Sequence, residues 1–555
     1  MLTMDKRLNI CVLVNDNTVP QWIFKCIENL ALSESANVSV IISPEPPLSA
    51  AKRKLSHSGS VLIRLFETID RLLFRSNYYS HLDRDISSLK GTASVINLTD
   101  LTGLALRTGE TEAISDLNPD VIVLLGRHKV EDSVLNIPKY GVWTFSIDKN
   151  EIHGVPAHGF REVIKHQPLT DMSLEIVAGD KSRNDIIYAT REATYHYSIT
   201  ENRNKVFWRA TVVIPRIIEG LCRYGDIYLQ QMKERHKALT PVSGGTTNQG
   251  SFLTVLRDLG EHAGYLFCLG VYKIFHTDAF SWQLRTNIAR HNNIRETDLS
   301  AFTTINPPRK LFWADPFVVA DDKSYYVFVE EFIYKTNKAH LSVLVLDGNG
   351  RPVRSQKIID RPYHMSYPFV FKTDGIYYMI PETNQNKTIE LYRCVGFPYE
   401  WKFERNIMED VSATDATLFH YENKWWLFTT IDQTGGVSSC STELFLFYSD
   451  DPVHGDWVSH PLNPIVSDES RARCAGKFFI ENGNIFRPSQ DCSVRYGRGL
   501  NINHVTKLNE HEYNEVLVRE IKPDWEHGLK GVHTLNTDED IIIIDTYRFH
   551  RRISL

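Results

Sequence analysis

Five stretches in the second half of the chain repeat one pattern: a small residue or proline, an apolar run, a polar turn, then a run rich in aromatic and β-branched residues. They begin at Asp315, Tyr367, Asp415, Cys474 and Lys530, so successive starts differ by 52, 48, 59 and 56 residues. A period of about 50 residues with two strong strands per unit is the spacing of four-stranded propeller blades. The turns Asp321-Asp322-Lys323, Thr373-Asp374-Gly375, Glu422-Asn423-Lys424, Glu481-Asn482-Gly483 and Thr537-Asp538-Glu539 carry the residue types of tight hairpins. Third strands follow at 340–346, 389–394 and 443–449, and 282–287 is predicted to complete the last blade. Closure of that kind hides the sheet edges that an open array would expose. The pattern predicts an all-β, five-bladed propeller over 281–555.

The other half needs a core of its own, since 555 residues exceed what one hydrophobic core supports. Apolar runs at 8–14, 38–43, 93–98 and 120–125 read as buried parallel strands. Helical spacing lies between them at 20–32, with Trp22, Ile23, Cys26, Ile27 and Leu30 on one face, and again at 61–74. Such alternation predicts a doubly wound α/β sheet over 1–235, with its site at the carboxyl ends of the strands. A dinucleotide fingerprint is missing after the first strand. The run 239–251, rich in Gly, Ser and Thr, is linker-like, so 236–280 is expected to be a linker followed by a connecting helix. That helix, 252–275, is apolar enough to pack between the domains or to make peripheral membrane contact, while Arg257, Asp258 and Glu261 argue against a span.

A net charge of −6 argues against a general nucleic-acid binder. The eight cysteines form no CxxC pair and read as free thiols of a reducing compartment. The first residues do not read as a signal peptide, and no stretch reaches the ~18 apolar residues of a span. A cytoplasmic location is therefore expected. No metal is predicted.

The segments 140–146, 156–164 and 173–188 come in an order that resembles the catalytic domain of formyltransferases using formyl-tetrahydrofolate. In that family a Gly-Val strand ends in an Asn-x-His pair, and a loop further on carries a catalytic Asp. The resemblance puts the Asn place at Thr144, the His place at Ser146 and the Asp place at Asp180 or Asp185, with Asp148 and His158 nearby. A hydroxyl does not titrate near pH 7 as a catalytic His does. Two readings stay open: a domain kept for structure or for binding a sugar nucleotide, or formyl transfer to an amino sugar with 10-formyltetrahydrofolate.

Trp313-Ala314-Asp315-Pro316-Phe317 resembles the opening of blade one in five-bladed glycosidases of the arabinanase and β-xylosidase superfamily. The resemblance implies that Asp315 points into the central funnel as general base. It likewise implies that Asp415 opens blade three and tunes the acid. The glutamate that should open blade four falls on Cys474, with Arg473 before it, so ordinary glycoside hydrolysis is in doubt. Glu330, Glu382 and Asp545 lie fourteen residues after Pro316, Pro368 and Gly531, and Asp491 lies near the corresponding place in blade four. The run 487–493 with Tyr496-Gly497 resembles the propeller domain of plant glucosamine inositolphosphorylceramide transferases, and the two-domain arrangement resembles bacterial chains with a formyltransferase-like domain in front.

These readings place Asp315, Asp415, Glu382 and Asp491 as catalytic residues. Arg473, Arg487, Tyr367, Glu330 and Asp545 are placed as substrate-binding: the arginines for an anionic leaving group, Tyr367 for stacking on sugar. The expected function is a glycosyl-transferring enzyme of surface polysaccharide or glycolipid synthesis. Its partners would be a nucleotide sugar and a glycan or glycolipid acceptor. Formyl transfer by the first domain and a non-catalytic glycan-binding protein are the alternatives.

Overall fold

The structure is a computed structural model that describes residues 7–42, 57–74, 79–89, 91–97, 111–112, 114–126, 132–148, 151–152, 155–156, 158–179, 183–239, 252–275, 278–288, 294, 296–321 and 324–551. The chain divides into two compact units, Met1–Cys268 and Leu269–Leu555.

In the first unit β1 (Leu8–Val14), α1 (Gln21–Ala31), β2 (Ala36–Ile42), α2 (His57–Leu73), β3 (Ser94–Asn97), β4 (Val121–Leu124) and β5 (Val142–Phe145) follow the predicted alternation. They are followed by α3 (Phe160–Ile164), β6 (Leu169–Ile176), β7 (Asp185–Ala193) and the helices α4 (Ile199–Tyr224), α5 (Asp226–His236) and α6 (Phe252–Phe275). The sheet order is β7-β6-β5-β4-β1-β2-β3. β1 to β5 pair in parallel, and β6 and β7 add antiparallel edges. A parallel sheet must be covered on both faces, which is why β1 is apolar and buried from Ile10 to Val14. Cys11 and Leu13 pack with Ile114 and Val134 on one face. The other face is covered by α1, whose Trp22 meets Phe145 edge-on with ring centroids 6.3 Å apart. Ser198 caps α4 by accepting from Glu201 N. In α6, Leu259 and His262 are buried, while Leu253, Leu256 and Phe267 are exposed. Among the described residues no helix is long and apolar enough to cross a membrane.

The second unit holds five sheets. Blade one runs Leu311–Asp321, Ser324–Ile333, Lys338–Asp347, Pro352–Ile359 from axis to rim. Blade two is Ser366–Thr373, Ile376–Thr383, Thr388–Gly396 and Glu400–Glu409. Blade three opens with Ala413–Tyr421, Lys424–Ile431 and Glu443–Ser449, and blade four has Phe479–Glu481, Asn484–Asp491, Gly499–Leu508 and Tyr513–Ile521. In blade five, Leu529–Gly531 and Leu535–Asp538 lie innermost, then Ile541–Arg551. The ring closes as predicted: Asp278–Ile288 pairs antiparallel with that strand from Asp278↔Arg551 to Ile288↔Ile541. Rim strands such as Pro352–Ile359 are mostly exposed and carry Arg354 and Lys357, charges that protect an open edge.

Candidate active site

The inner strands of blades one, two and three share one local device. Each has a bulge at its start, between Ala314 and Phe317, Ser366 and Phe369, and Thr414 and Thr417. The residue inside each bulge is left-handed: Asp315 at φ 49°, Tyr367 at 44° and Asp415 at 53°. Pro316 and Pro368 fit here because a bulge leaves a residue unpaired and needs no N–H from it. The bulge turns the three side chains toward the axis. Left-handed backbone at a non-glycine residue costs about 1–3 kcal/mol, so the surrounding contacts must hold it.

Those contacts join all five blades. Asp315 accepts from Tyr367 N at 3.2 Å and from Thr534 Oγ1 at 2.7 Å. Its own N–H donates to Asp545 Oδ2 at 3.0 Å. Asp545 also pairs with His533 Nδ1 at 2.5 Å, and His533 Nε2 faces Asp315 Oδ1 at 3.7 Å. Asp315, His533 and Asp545 each bring a ligand atom within 4.8 Å of the others, a spacing open to a metal. Their direct contacts make the group a hydrogen-bonded triad instead. Opposite it, Arg473 grips Asp415 in a bidentate pair, Nε to Oδ2 at 2.6 Å and Nη2 to Oδ1 at 3.3 Å. Arg473 Nη2 also reaches Glu382 Oε2 at 3.5 Å, and Gln490 Nε2 donates to Asp415 Oδ2 at 2.9 Å.

Charge in this space is unevenly shared. Burial pushes the Asp315 carboxyl up to about 7, helped by Glu330, Asp415 and Asp545 and opposed by His533. Burial, and then Asp415 beside it, pushes Glu382 well above the carboxylate range against the pull of Arg473. Burial works to lower His533, but Asp545, Asp315 and Glu330 outweigh it and hold the ring up to about 9. Glu330 pairs with His364 Nε2 at 3.3 Å. A pocket of about 430 Å³ opens beside Glu382, lined also by His364, Asn384 and Gln385, within the ~300–1,000 Å³ range of small-ligand sites.

Five of the expected roles are corrected. Asp491 does not join the ring of acids: it pairs with Arg498 at 3.1 Å. The inward residue is Gln490, one place earlier, and one step along a strand reverses the face. Arg487 is fully buried in a bidentate pair with Glu515, and it donates to the carbonyls of Ala472 and Arg471. It thus positions the segment that carries Arg473 and meets no substrate. Tyr367 is fully buried, and its hydroxyl accepts from Gly476 N at 2.7 Å and shares a hydrogen bond with Thr417. It packs the axis, so the ring open to sugar is Tyr496, 47% exposed, over the Arg473 guanidinium at 4.9 Å. Arg473 has its guanidinium nitrogens on Asp415, Glu382, Ser441 and Cys440, which leaves no fork for a phosphate. Asp545 is fully buried and holds His533 and the backbone of Asp315 rather than a ligand.

Sequence reasoning missed His533, Gln490 and Tyr496. The one available signal was His533-Thr534 in the fifth repeat, two places past the glycine that matches Pro316 and Pro368.

The residues singled out in the first unit do not converge. Thr144 is buried inside β5, and the Ser146 hydroxyl accepts from Ser173 N at 2.9 Å. Asp148 closes the short turn Ser146–Asp148. Asp185 forms a surface pair with Lys233 at 2.8 Å, and Asp180 lies outside the described residues. His158 is buried, with Nε2 unpartnered, and burial lowers its pKa to about 3. The Ser146 hydroxyl at the strand end is already held by the Ser173 backbone.

A family model described as glucosamine inositolphosphorylceramide transferase 1, N-terminal, matches residues 300–539. The chain is 38% identical over 210 residues to glucosamine inositolphosphorylceramide transferase 1 of Oryza sativa subsp. japonica, covering 37% of this chain and 28% of that protein. It is 32% identical over 274 residues to the Arabidopsis thaliana protein of that name, covering 46% of this chain and 35% of that one. The chain thus spans about a third of the length of the curated relatives it matches. Among solved structures, the GH62 α-L-arabinofuranosidase catalytic domain of Coprinopsis cinerea aligns at 10% identity and TM-score 0.33, covering 48% of this chain and 97% of that one. Zg3597, a family 117 glycoside hydrolase of Zobellia galactanivorans, aligns at 10% identity and TM-score 0.32, covering 50% and 92%.

Proposed function

We propose that the propeller funnel is a carbohydrate-active site that transfers a glycosyl group to a hydroxyl of a glycan or glycolipid. One observation carries this reading. Two carboxyls displaced upward by burial, Glu382 and Asp315, the latter to about 7, face one funnel with the Arg473–Asp415 pair between blades three and four. Carboxyl groups set apart in this way suit acid and base work at a sugar centre. Asp315 takes the proton of the acceptor hydroxyl as its oxygen bonds to the sugar carbon. Glu382 gives a proton to the oxygen that leaves that carbon. The relatives named as sugar transferases match over the propeller and support the class.

The test incubates the full chain with nucleotide sugars, amino-sugar glycosides and inositolphosphoryl lipids, and reads sugar addition by mass spectrometry. Asp315→Asn and Glu382→Gln are each expected to lower turnover by at least ~100-fold. Full turnover in either variant rejects the assignment. Cys474 at the blade-four position favours one second reading, a glycan-binding module. Binding by calorimetry with no product from any donor would select it.

A further inference from the structure

Away from the propeller, two helices of the first unit carry apolar residues on more than the side that packs. α2 turns Ile63 inward, with Leu62 and Phe66 beside it, into a cluster that includes Leu259 of α6. The Phe66 and His262 rings lie 6.0 Å apart, so the two helices touch along these sides. Yet α2 also exposes Leu65, Ile69, Leu72 and Leu73, and α6 exposes Leu253, Leu256 and Phe267. Gly260 and Ala263 complete the α6 series and are exposed too. The series 65-69-72 and 253-256-260-263-267 advance by alternate steps of three and four residues, so each forms one stripe along its helix. The exposure is large: Leu73 is 74%, Leu253 71% and Phe267 73% exposed. Apolar stripes left in the open on neighbouring helices mark a contact with a partner.

The charges beside the stripes select the partner. Arg64 and Arg71 are exposed on α2, and Arg257 on α6. The acids of α2 are engaged: Glu67 pairs with Arg203 at 2.7 Å, and Asp70 is buried and accepts from the Ser198 hydroxyl and from Thr200 N. On α6, Asp258 pairs with Lys165 at 2.6 Å, and Glu261 is the exposed acid, 3.7 Å from Arg257. Among the described side chains of the two helices, three exposed arginines thus stand against one exposed glutamate, in a chain of net charge −6. A second copy of the chain would set the patch against itself and bring those arginines together. An anionic surface is complementary to them.

We infer that the outer sides of α2 and α6 form a docking surface for an anionic lipid membrane. The helices lie in the plane of the interface and do not span it: no described helix is long and apolar enough to cross. Leucine, isoleucine and phenylalanine of the stripes enter the boundary of the acyl chains, and the arginines meet lipid phosphates.

The experiment floats the full chain through a density gradient with vesicles of phosphatidylcholine alone, or of phosphatidylcholine with about 30% phosphatidylglycerol. The expected result is saturable binding to the second kind, weakened as salt rises above ~0.15 M, and little binding to the first. Leu65→Gln combined with Ile69→Gln, at exposed positions, is expected to weaken that binding at least ~10-fold. Arg64→Gln combined with Arg71→Gln is expected to do as much, at roughly fivefold per arginine. Far-ultraviolet circular dichroism checks that both variants are folded. No flotation with either vesicle, equal flotation with both, or binding that neither pair of substitutions weakens overturns the assignment. So does a dimer in sedimentation velocity that Leu65→Gln with Ile69→Gln dissolves, which gives the surface to a second copy of the chain.

Discussion

Arg473→Met isolates what holds the funnel together. The Arg473 side chain is 11% exposed and that of Asp415 is 2% exposed, so their 2.6 Å contact is a buried pair. Removing one partner of such a pair strands the other charge and typically costs about 3–5 kcal/mol. A unit of this size shifts its melting midpoint by ~2–4 °C per kcal/mol. The variant should therefore melt ~6–20 °C below the parent in a calorimetric scan at pH 7. Asp415→Asn alone should also destabilise, because Arg473 then keeps Glu382 at 3.5 Å as its one carboxyl contact, beside the neutral Ser441 and Cys440. The double variant should recover about 2–3 kcal/mol relative to the sum of the two, the coupling of residues in direct contact. Asp415 and Glu382 also face each other without a cation in Arg473→Met, so lowering the pH, which supplies the pair with a proton, should narrow the gap to the parent. Additive effects within ~0.5 kcal/mol would refute the pairing.

The acid limb of the pH–activity profile should lie near pH 7, since Asp315 must be ionised to take a proton and titrates at about 7. A limb near pH 4 rejects Asp315 as base. His533, raised to about 9, stabilises the fold fully below its ordinary value near 6.5 and loses that contribution as pH rises through about 9. Urea titrations of His533→Gln should therefore lack a decline on the order of 3 kcal/mol that the parent shows over this range; equal slopes refute it. Gly476→Ala should be poorly folded or lose about 3 kcal/mol. Its backbone sits at φ 129°, and an added Cβ would lie 1.9 Å from the Leu535 carbonyl oxygen. A variant with parental melting would show that the axis is loosely packed.

Periodicity made the propeller legible. Hairpin turns, strand spacing and the return of 282–287 to the last blade are local signals, and local signals survive in a sequence. Asp315 and Asp415 were legible for the same reason: a polar residue opening an apolar strand must face something other than the core. The partners were not. Arg473 meets Asp415 58 residues away, and His533 meets Asp315 218 residues away, joined only by ring closure. Asp491 and Gln490 differ by a single step of strand register, which spacing measured in whole residues from a turn does not settle. Tyr367 looked like a platform because aromatic residues serve both roles, and only its position inside a bulge decided for packing. In the first unit the strands were readable, but whether Ser146 has a free hydroxyl depends on Ser173, on a strand that pairs only through the fold.

The thiol and the arginine at the head of blade four are best understood as one change. Cys474 is fully buried, with Sγ against the Phe428 carbonyl at 3.9 Å and near Tyr367, and burial disfavours an anion there. A carboxylate there would stand near Asp415, and Arg487, the cation that acts on this position, is already paired with Glu515. Arg473, one residue earlier, grips Asp415 and spends the rest of its guanidinium on Ser441 and Glu382. Burial, and then the Asp415 carboxyl, push Glu382 upward against the pull of Arg473. On the proposed reading the proton donor is on blade two, beside the pocket that Glu382 lines with His364 and Gln385. A funnel reorganised in this way should not regain activity when a carboxylate is restored at 474, and Cys474→Glu should lose both turnover and stability. A gain in activity from that substitution would mean that blade two never took over the role.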